Sequence, residues 1–236
     1  MSDVKNSGLA TGLVSYWELE EASGTRVDSH GSNDLTDNNT VLNATGKQGN
    51  GADFEAANAE FLNIALGSTG LELNASFSVA FWIKPETVGL QAIYQSGTNT
   101  NFWVIQSFQG RIFFTEDNIA DYTSDVTLSA GTWRHVVVTK DGDAANNLKI
   151  YLDGSLNKTF SSGAAASPTG TASMGVYNTG SNSRYLDAVI DEFGIWSRAI
   201  TSAEVSDLYN TGAGIPYDAG GGGGFTKPNY LGFSRL

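Results

Sequence analysis

Alternation dominates this sequence. Phe77, Val79, Phe81 and Ile83 interleave with Ser78, Ala80, Trp82 and Lys84, and Pro85 ends the run. A period of two sends successive side chains to opposite faces of a β-strand, so the run is a strand with one apolar face. Further strands are expected at Ala92–Ser96, Phe102–Phe108, Arg111–Thr115, Trp133–Lys140, Leu148–Leu152, Leu156–Phe160 and Leu186–Trp196. Gly110 joins one pair of them and Asp153-Gly154 another, the second being a two-residue hairpin signature. Strands at this density, separated by Gly, Asn, Ser and Thr, point to an all-β, two-sheet antiparallel jelly-roll sandwich.

One short C-terminal helix breaks the pattern. Thr201-Ser-Ala-Glu204 reads as a capping box, and Ile200 with Val205 as its hydrophobic staple. Val205, Leu208 and Tyr209 fall on one face, and Gly212 is expected to supply the left-handed stop.

Charge and composition exclude several partners. The 236 residues hold 25 acidic against 13 basic side chains and no cysteine. An acidic body repels nucleic acid and anionic membrane surfaces. The absence of cysteine removes disulfides, thiolate metal sites and thiol nucleophiles together. No apolar run is long enough for a signal peptide or a membrane span, which predicts synthesis in a cytoplasm and no membrane insertion.

The C-terminus differs from the rest. Gly220–Gly224 is a flexible linker by composition, and Phe225, Tyr230, Leu231, Phe233 and Leu236 follow it. Lys227 and Arg235 are the charges of this tail, leaving 25 acids against 11 bases in residues 1–218. The tail reads either as a disordered tag or as a docking peptide carried by Phe225, Tyr230 and Phe233. The expected organisation is an arm (1–11), a jelly roll (12–218) and a linker with a docking tail (219–236).

Several motifs carry a family resemblance. Gly12-Leu-Val-Ser-Tyr-Trp17, Ser23-Gly-Thr25, Asp28–Asp34 and Gly51-Ala-Asp-Phe54 come first in the chain. Ser76–Pro85, Trp133–Thr139, Leu148–Gly154 and Ile190–Ile200 follow in order. Together they resemble a laminin G-like jelly-roll domain of the concanavalin A-like lectin/glucanase superfamily. The resemblance implies two stacked antiparallel sheets and often a structural calcium ion. It fixes no ligand, because this fold hosts lectins, glycosidases, adhesion modules and virion proteins.

Asp191 gives an independent reason to look for a cation. Strand alternation sets it on one face with Val189, Phe193 and Ile195, where an ionised carboxylate is costly without a partner. The loop Asp28–Asp34 is rich in the oxygen ligands that calcium favours. The resemblance points to Asp28, Asn33 and Asp191 as metal ligands, with backbone carbonyls near His30. The other reading of Asp191 is an arginine partner or a cap on backbone amides. His30 is expected to be a bystander to the metal, and His135 to be packed in the core.

No catalytic constellation stands out. The Glu-x-Asp-x-x-Glu strand of jelly-roll glycosidases is missing, and Glu18, Glu20 and Glu21 come closest to it. A binding role fits better. Trp103, Tyr122, Tyr177 and Tyr185 are candidate sugar platforms, among loop residues that include Asn99, Asp121 and Asn182. The same rings can instead fill or edge the sandwich. The combined expectation is a non-enzymatic bacteriophage virion protein (decoration, fibre or tail), oligomeric or particle-bound. Its tail would meet other virion proteins and its jelly roll a host-surface glycan. The alternatives are a bacterial surface carbohydrate-binding or adhesion module and, more remotely, a glycoside hydrolase.

Overall fold

A computed structural model describes residues 3–98, 101–116, 120–163, 167–178 and 183–218. Its strands are β1 (Leu13–Trp17), β2 (Thr36–Asn38), β3 (Leu42–Thr45), β4 (Asn50–Phe54), β5 (Phe61–Ala65) and β6 (Ser76–Pro85). They continue as β7 (Gln91–Ser96), β8 (Trp103–Phe108), β9 (Arg111–Glu116), β10 (Ala120–Thr127), β11 (Arg134–Asp141) and β12 (Leu148–Leu152). β13 (Ser155–Phe160), β14 (Thr171–Met174), β15 (Val176–Asn178), β16 (Ser183–Tyr185) and β17 (Ala188–Trp196) complete them, and α1 (Ser202–Tyr209) follows.

The strands form two antiparallel sheets. The first runs β13-β12-β11-β6-β17-β4-β3, with β1 also on β17; the second runs β10-β9-β8-β7-β14-β5-β2. A separate hairpin, β15–β16, lies against β7. This is the sandwich expected from the alternation. Phe77, Val79, Phe81 and Ile83 of β6 do enter the core between the sheets. There Phe77 stacks on Trp103 at 4.7 Å and Phe81 on Phe193 at 5.3 Å. Each such ring removed from water contributes on the order of 2–3 kcal/mol. Lys140 of the first sheet reaches Glu116 of the second at 2.5 Å, a buried ion pair that ties the layers together.

The outer face of the first sheet carries a second core. Tyr16, Val137, Tyr151 and Trp196 from the sheet meet Val205 and Leu208 of α1. Val4 and Leu9, in the stretch expected as an arm, are buried in the same cluster, and Leu9 O accepts from Trp196 Nε1 at 2.6 Å. Lys5 N donates to Tyr217 O at 2.9 Å, so the two ends of the domain close over one another.

Local rules hold at the turn and the helix start. Asp153 (φ 49°) and Gly154 (φ 76°) are both left-handed, as an Asp-Gly hairpin requires. Thr201 Oγ1 accepts from Glu204 N at 3.2 Å while Glu204 Oε2 accepts from Thr201 N at 2.7 Å, the reciprocal capping box. The helix stops earlier than expected: Asn210 (φ 45°) takes the left-handed position in place of Gly212.

A bulge in β17 corrects the expected face of Asp191. Ala188 and Ile190 enter the main core before it, and Phe193 and Ile195 after it, so the phase shifts by one residue. Val189 and Asp191 therefore do not share a face with Phe193 and Ile195. Asp191 lies opposite Trp82, whose ring stacks on Tyr209 of α1, so its side chain belongs to the outer side of the sheet.

Candidate functional site

Asp28 and Asn33 organise the loop that contains them. Asp28 Oδ1 accepts from the amides of Tyr16, His30 and Gly31 at 2.9–3.0 Å, and Oδ2 from Asn33 N at 3.0 Å. The Asn33 side-chain amide donates to Ser15 Oγ at 2.7 Å and Thr69 O at 2.9 Å. Both Asp28 oxygens are thus engaged by backbone, and neither residue shares a hydrogen-bond partner with Asp191. His30 sits aside with Nδ1 3.1 Å from the Tyr217 hydroxyl. Asp28 and Asn33 thus make their contacts within and beside their own loop, and Asp191 makes its own with the loop before β4.

Asp191 instead belongs to a different cluster of carboxylates. Residues 188–190 of β17 pair with β4 and residues 193–196 with β1, leaving Asp191 and Glu192 at the changeover. Glu192 is left-handed (φ 51°), and the bulge turns two successive acids away from the core. Asp191 Oδ2 accepts from the amides of Lys47 (2.6 Å) and Gln48 (2.8 Å), while Oδ1 is buried with no hydrogen-bond partner. Glu192 Oε2 accepts from the Tyr16 hydroxyl at 2.5 Å. Burial pushes both carboxyl groups above the carboxylate range, with the Asp191 charge raising Glu192 further and the Glu20 charge raising Asp191.

The loop before β4 wraps this cluster. A Cβ on Gly46 would stand 2.7 Å from Asp191 Oδ2, and one on Gly49 would stand 2.1 Å from Glu20 Oε1. Glu20 is anchored by Asn50 N at 3.0 Å, and burial lifts its carboxyl too. An orphaned buried oxygen, a second carboxylate and a glycine cradle fit a hard cation at Asp191 and Glu20.

The aromatic candidates divide. Trp103 is 1% exposed, stacked on Phe77, and its Nε1 donates to Leu73 O at 2.8 Å. Tyr122 is buried beside Phe114 and Phe160. Neither offers a ring face to a ligand, because inward positions of β8 and β10 close the sandwich. Tyr185 is half-buried against Phe61. Tyr177 reaches the outer face of the second sheet, with Phe102 at its edge and the Arg184 guanidinium 4.9 Å from its centre.

That outer face holds an open groove of about 210 Å³. The positions alternate with those facing the core between the sheets: Gln106 and Phe108 on β8, Phe113 and Thr115 on β9, and Asp121 on β10, with Leu90 and Arg184 at the margins. Phe108 and Leu90 are 41% and 44% exposed. A directional relay crosses the groove floor. Arg184 Nη1 donates to Gln106 Oε1 (2.7 Å), Gln106 Nε2 to Thr115 Oγ1 (3.2 Å), and Thr115 Oγ1 to Asp121 Oδ1 (2.6 Å).

A family model described as concanavalin A-like lectin/glucanases superfamily matches residues 58–206. The chain belongs to this superfamily. Solved structures of the same fold include domain 4 of an extracellular GH43 arabinanase from Geobacillus stearothermophilus, in complex with arabinotriose. It is 19% identical, with a TM-score of 0.65, over 84% of this chain and 98% of that one. The binding domain of Paraclostridial Mosquitocidal Protein 1 is 17% identical (TM-score 0.70), over 86% of this chain and 52% of the other. The botulinum neurotoxin serotype D binding domain is 18% identical (TM-score 0.65), over 85% and 52%. This chain therefore spans about half of each toxin domain. No curated protein matches it in sequence.

This jelly roll of the superfamily has a groove that most of the sequence candidates missed. Of the groove residues only Asp121 was singled out. The usable signal was strand phase: once Trp103 and Ile105 point inward, Gln106 and Phe108 must point out. Arg184 carried no such signal, because only the hairpin's position over β7 brings it to the groove. The docking candidates Phe225, Tyr230 and Phe233 lie outside the described residues, as do Asn99 and Asn182.

Proposed function

We propose that this chain is a non-enzymatic glycan-binding module whose binding face is the groove over β8, β9 and β10. The carrying observation is the pairing of the exposed Phe108 and half-buried Phe113 rings with the Arg184–Gln106–Thr115–Asp121 relay on one open face. A sugar ring offers an apolar face for Phe108 or Phe113, and hydroxyls that both donate to Asp121 and accept from the amide and guanidinium donors. The arabinotriose complex of the arabinanase domain supports the reading at the level of fold. Screening the full chain on a glycan array is expected to yield a defined sugar whose binding falls at least about tenfold in Phe113→Ala and Gln106→Ala with unchanged melting. No binding to any glycan rejects the reading, and turnover of a β-glucan or arabinan rejects its non-enzymatic part.

The wider setting we propose is a bacteriophage virion that displays the jelly roll outward and holds it through residues 219–236. Its support is compositional: a glycine linker leading into a basic, aromatic tail behind an acidic domain. Deleting residues 219–236 should abolish incorporation into a particle while the domain still folds. Normal incorporation of the truncated protein defeats this setting.

Calcium belongs to the same reading, with Asp191 and Glu20 as its side-chain ligands in place of Asp28 and Asn33. A bound cation would neutralise carboxylates that burial otherwise penalises. Calcium should raise the melting temperature of the wild type and not that of Asp191→Ala, since binding to the native state alone stabilises it. Equal melting with calcium and with chelator removes the metal.

A further inference from the structure

We infer that the glycan this groove reads carries a carboxylate-bearing sugar seated on Arg184, an inference that rests on the groove being the glycan site. In a chain with about two acids per base, every other described arginine is met by a carboxylate or by backbone carbonyls. Arg134 pairs with Asp153, Arg198 with Glu204, Lys158 with Asp125 and Lys5 with Asp218. Arg111 spends its donors on two backbone carbonyls. Arg184 has neither. Among the described residues its one hydrogen-bond acceptor is the neutral amide of Gln106, and no carboxylate lies within ion-pair distance.

The side chain is nonetheless held in place. Its guanidinium lies over the Tyr177 ring, and the Gln106 bond fixes its position at the groove margin. A half-buried guanidinium pinned on an aromatic face loses little freedom on binding, and its remaining N–H donors match the two oxygens of a carboxylate. The amide of Gln106 cannot satisfy it, and a neutral sugar would add only uncharged acceptors.

The relay gives the groove a direction. Every hydrogen is donated from Arg184 toward Asp121, so one end keeps donors and the other ends on an acceptor. The two ends are separated by two strand spacings, about 10 Å. A ligand with its acid at Arg184 places hydroxyls at Asp121, whereas the reversed ligand sets two carboxylates together. Neutral oligosaccharides lack this polarity, and a small anion cannot use both ends.

Titration calorimetry on the full chain tests this with two matched pairs: trigalacturonic acid against its carboxyl-reduced form, and 3′-sialyllactose against lactose. One acidic member should bind at least about tenfold tighter than its neutral partner, as a charged hydrogen-bonded pair allows, and which pair responds separates a uronic from a sialic acid. Arg184→Gln should erase the difference, Arg184→Lys should restore part of it, and Asp121→Asn should leave it in place. Equal binding of acidic and neutral members, lost in Phe113→Ala, overturns the acid inference and leaves the glycan reading standing. A preference that survives Arg184→Gln also overturns it. Absence of binding to all four probes, with a blank glycan array, overturns both.

Discussion

The two outer faces of the sandwich meet opposite fates. The first sheet's outer face carries Trp82, His135, Tyr151 and Trp196, all of them buried, because α1, residues 3–11 and Tyr217 cover them. The second sheet's outer face carries Phe108, Phe113 and Leu90 and, among the described residues, is covered only at one side, by the β15–β16 hairpin. Both faces offer aromatic side chains at alternate strand positions. What differs is whether another stretch of chain returns to cover them. A covered face contributes stability, and an uncovered aromatic face on a folded domain is surface available to a ligand.

Substitutions should separate the two faces by size of effect. The largest is expected for Trp196→Ala, which empties the covered face and frees the Leu9 carbonyl from its indole donor. A loss of about 3–5 kcal/mol in denaturant unfolding is expected, and a loss below about 1 kcal/mol would mean that the cover is loosely packed.

Next is the pH response of His135, buried between Trp82 and Tyr209 on the covered face. Burial lowers its pKa from 6.5 to about 3, with Asp153 opposing the shift. The unfolded chain therefore takes up the proton first, so stability is fully present above about pH 6.5 and falls as pH drops toward 3. The slope contributed by this group is at most about 1.4 kcal/mol per pH unit. His135→Phe should flatten the pH dependence of melting between pH 6.5 and 4; an unchanged slope assigns the acid sensitivity elsewhere.

Thr201→Ala breaks the capping box of the covering helix and should cost about 1 kcal/mol. The smallest effect belongs to the open face. Phe108→Ala should stay within about 0.5 kcal/mol of wild type while weakening glycan binding. If it destabilises like Trp196→Ala, the face is not open and the comparison fails.

Much of the architecture was legible because strand and turn rules are local. The period-2 run at Phe77–Ile83, the Asp153-Gly154 turn and the Thr201–Glu204 capping box each depend on residues within a few positions of one another. The bulge at Asp191 was not legible, because it arises where β17 exchanges β4 for β1, partners far away in the chain. The same event explains why a strict alternation placed Asp191 with Phe193. Glu20 and the Gly46–Gly49 loop, both distant in the chain, come to lie around it. Trp103 and Tyr122 were fair candidates by residue type, and strand phase alone turned them inward.

Composition and periodicity by themselves determined that this chain forms an acidic antiparallel sandwich with one capped helix. They could do so because backbone geometry converts spacing along the chain directly into sides of a strand. Tertiary structure alone decided which apolar side was covered, which carboxylates met, and that Arg184 came to rest on Tyr177 with no acidic partner among the described residues. Those outcomes depend on segments distant in sequence arriving at the same place, which no local spacing encodes.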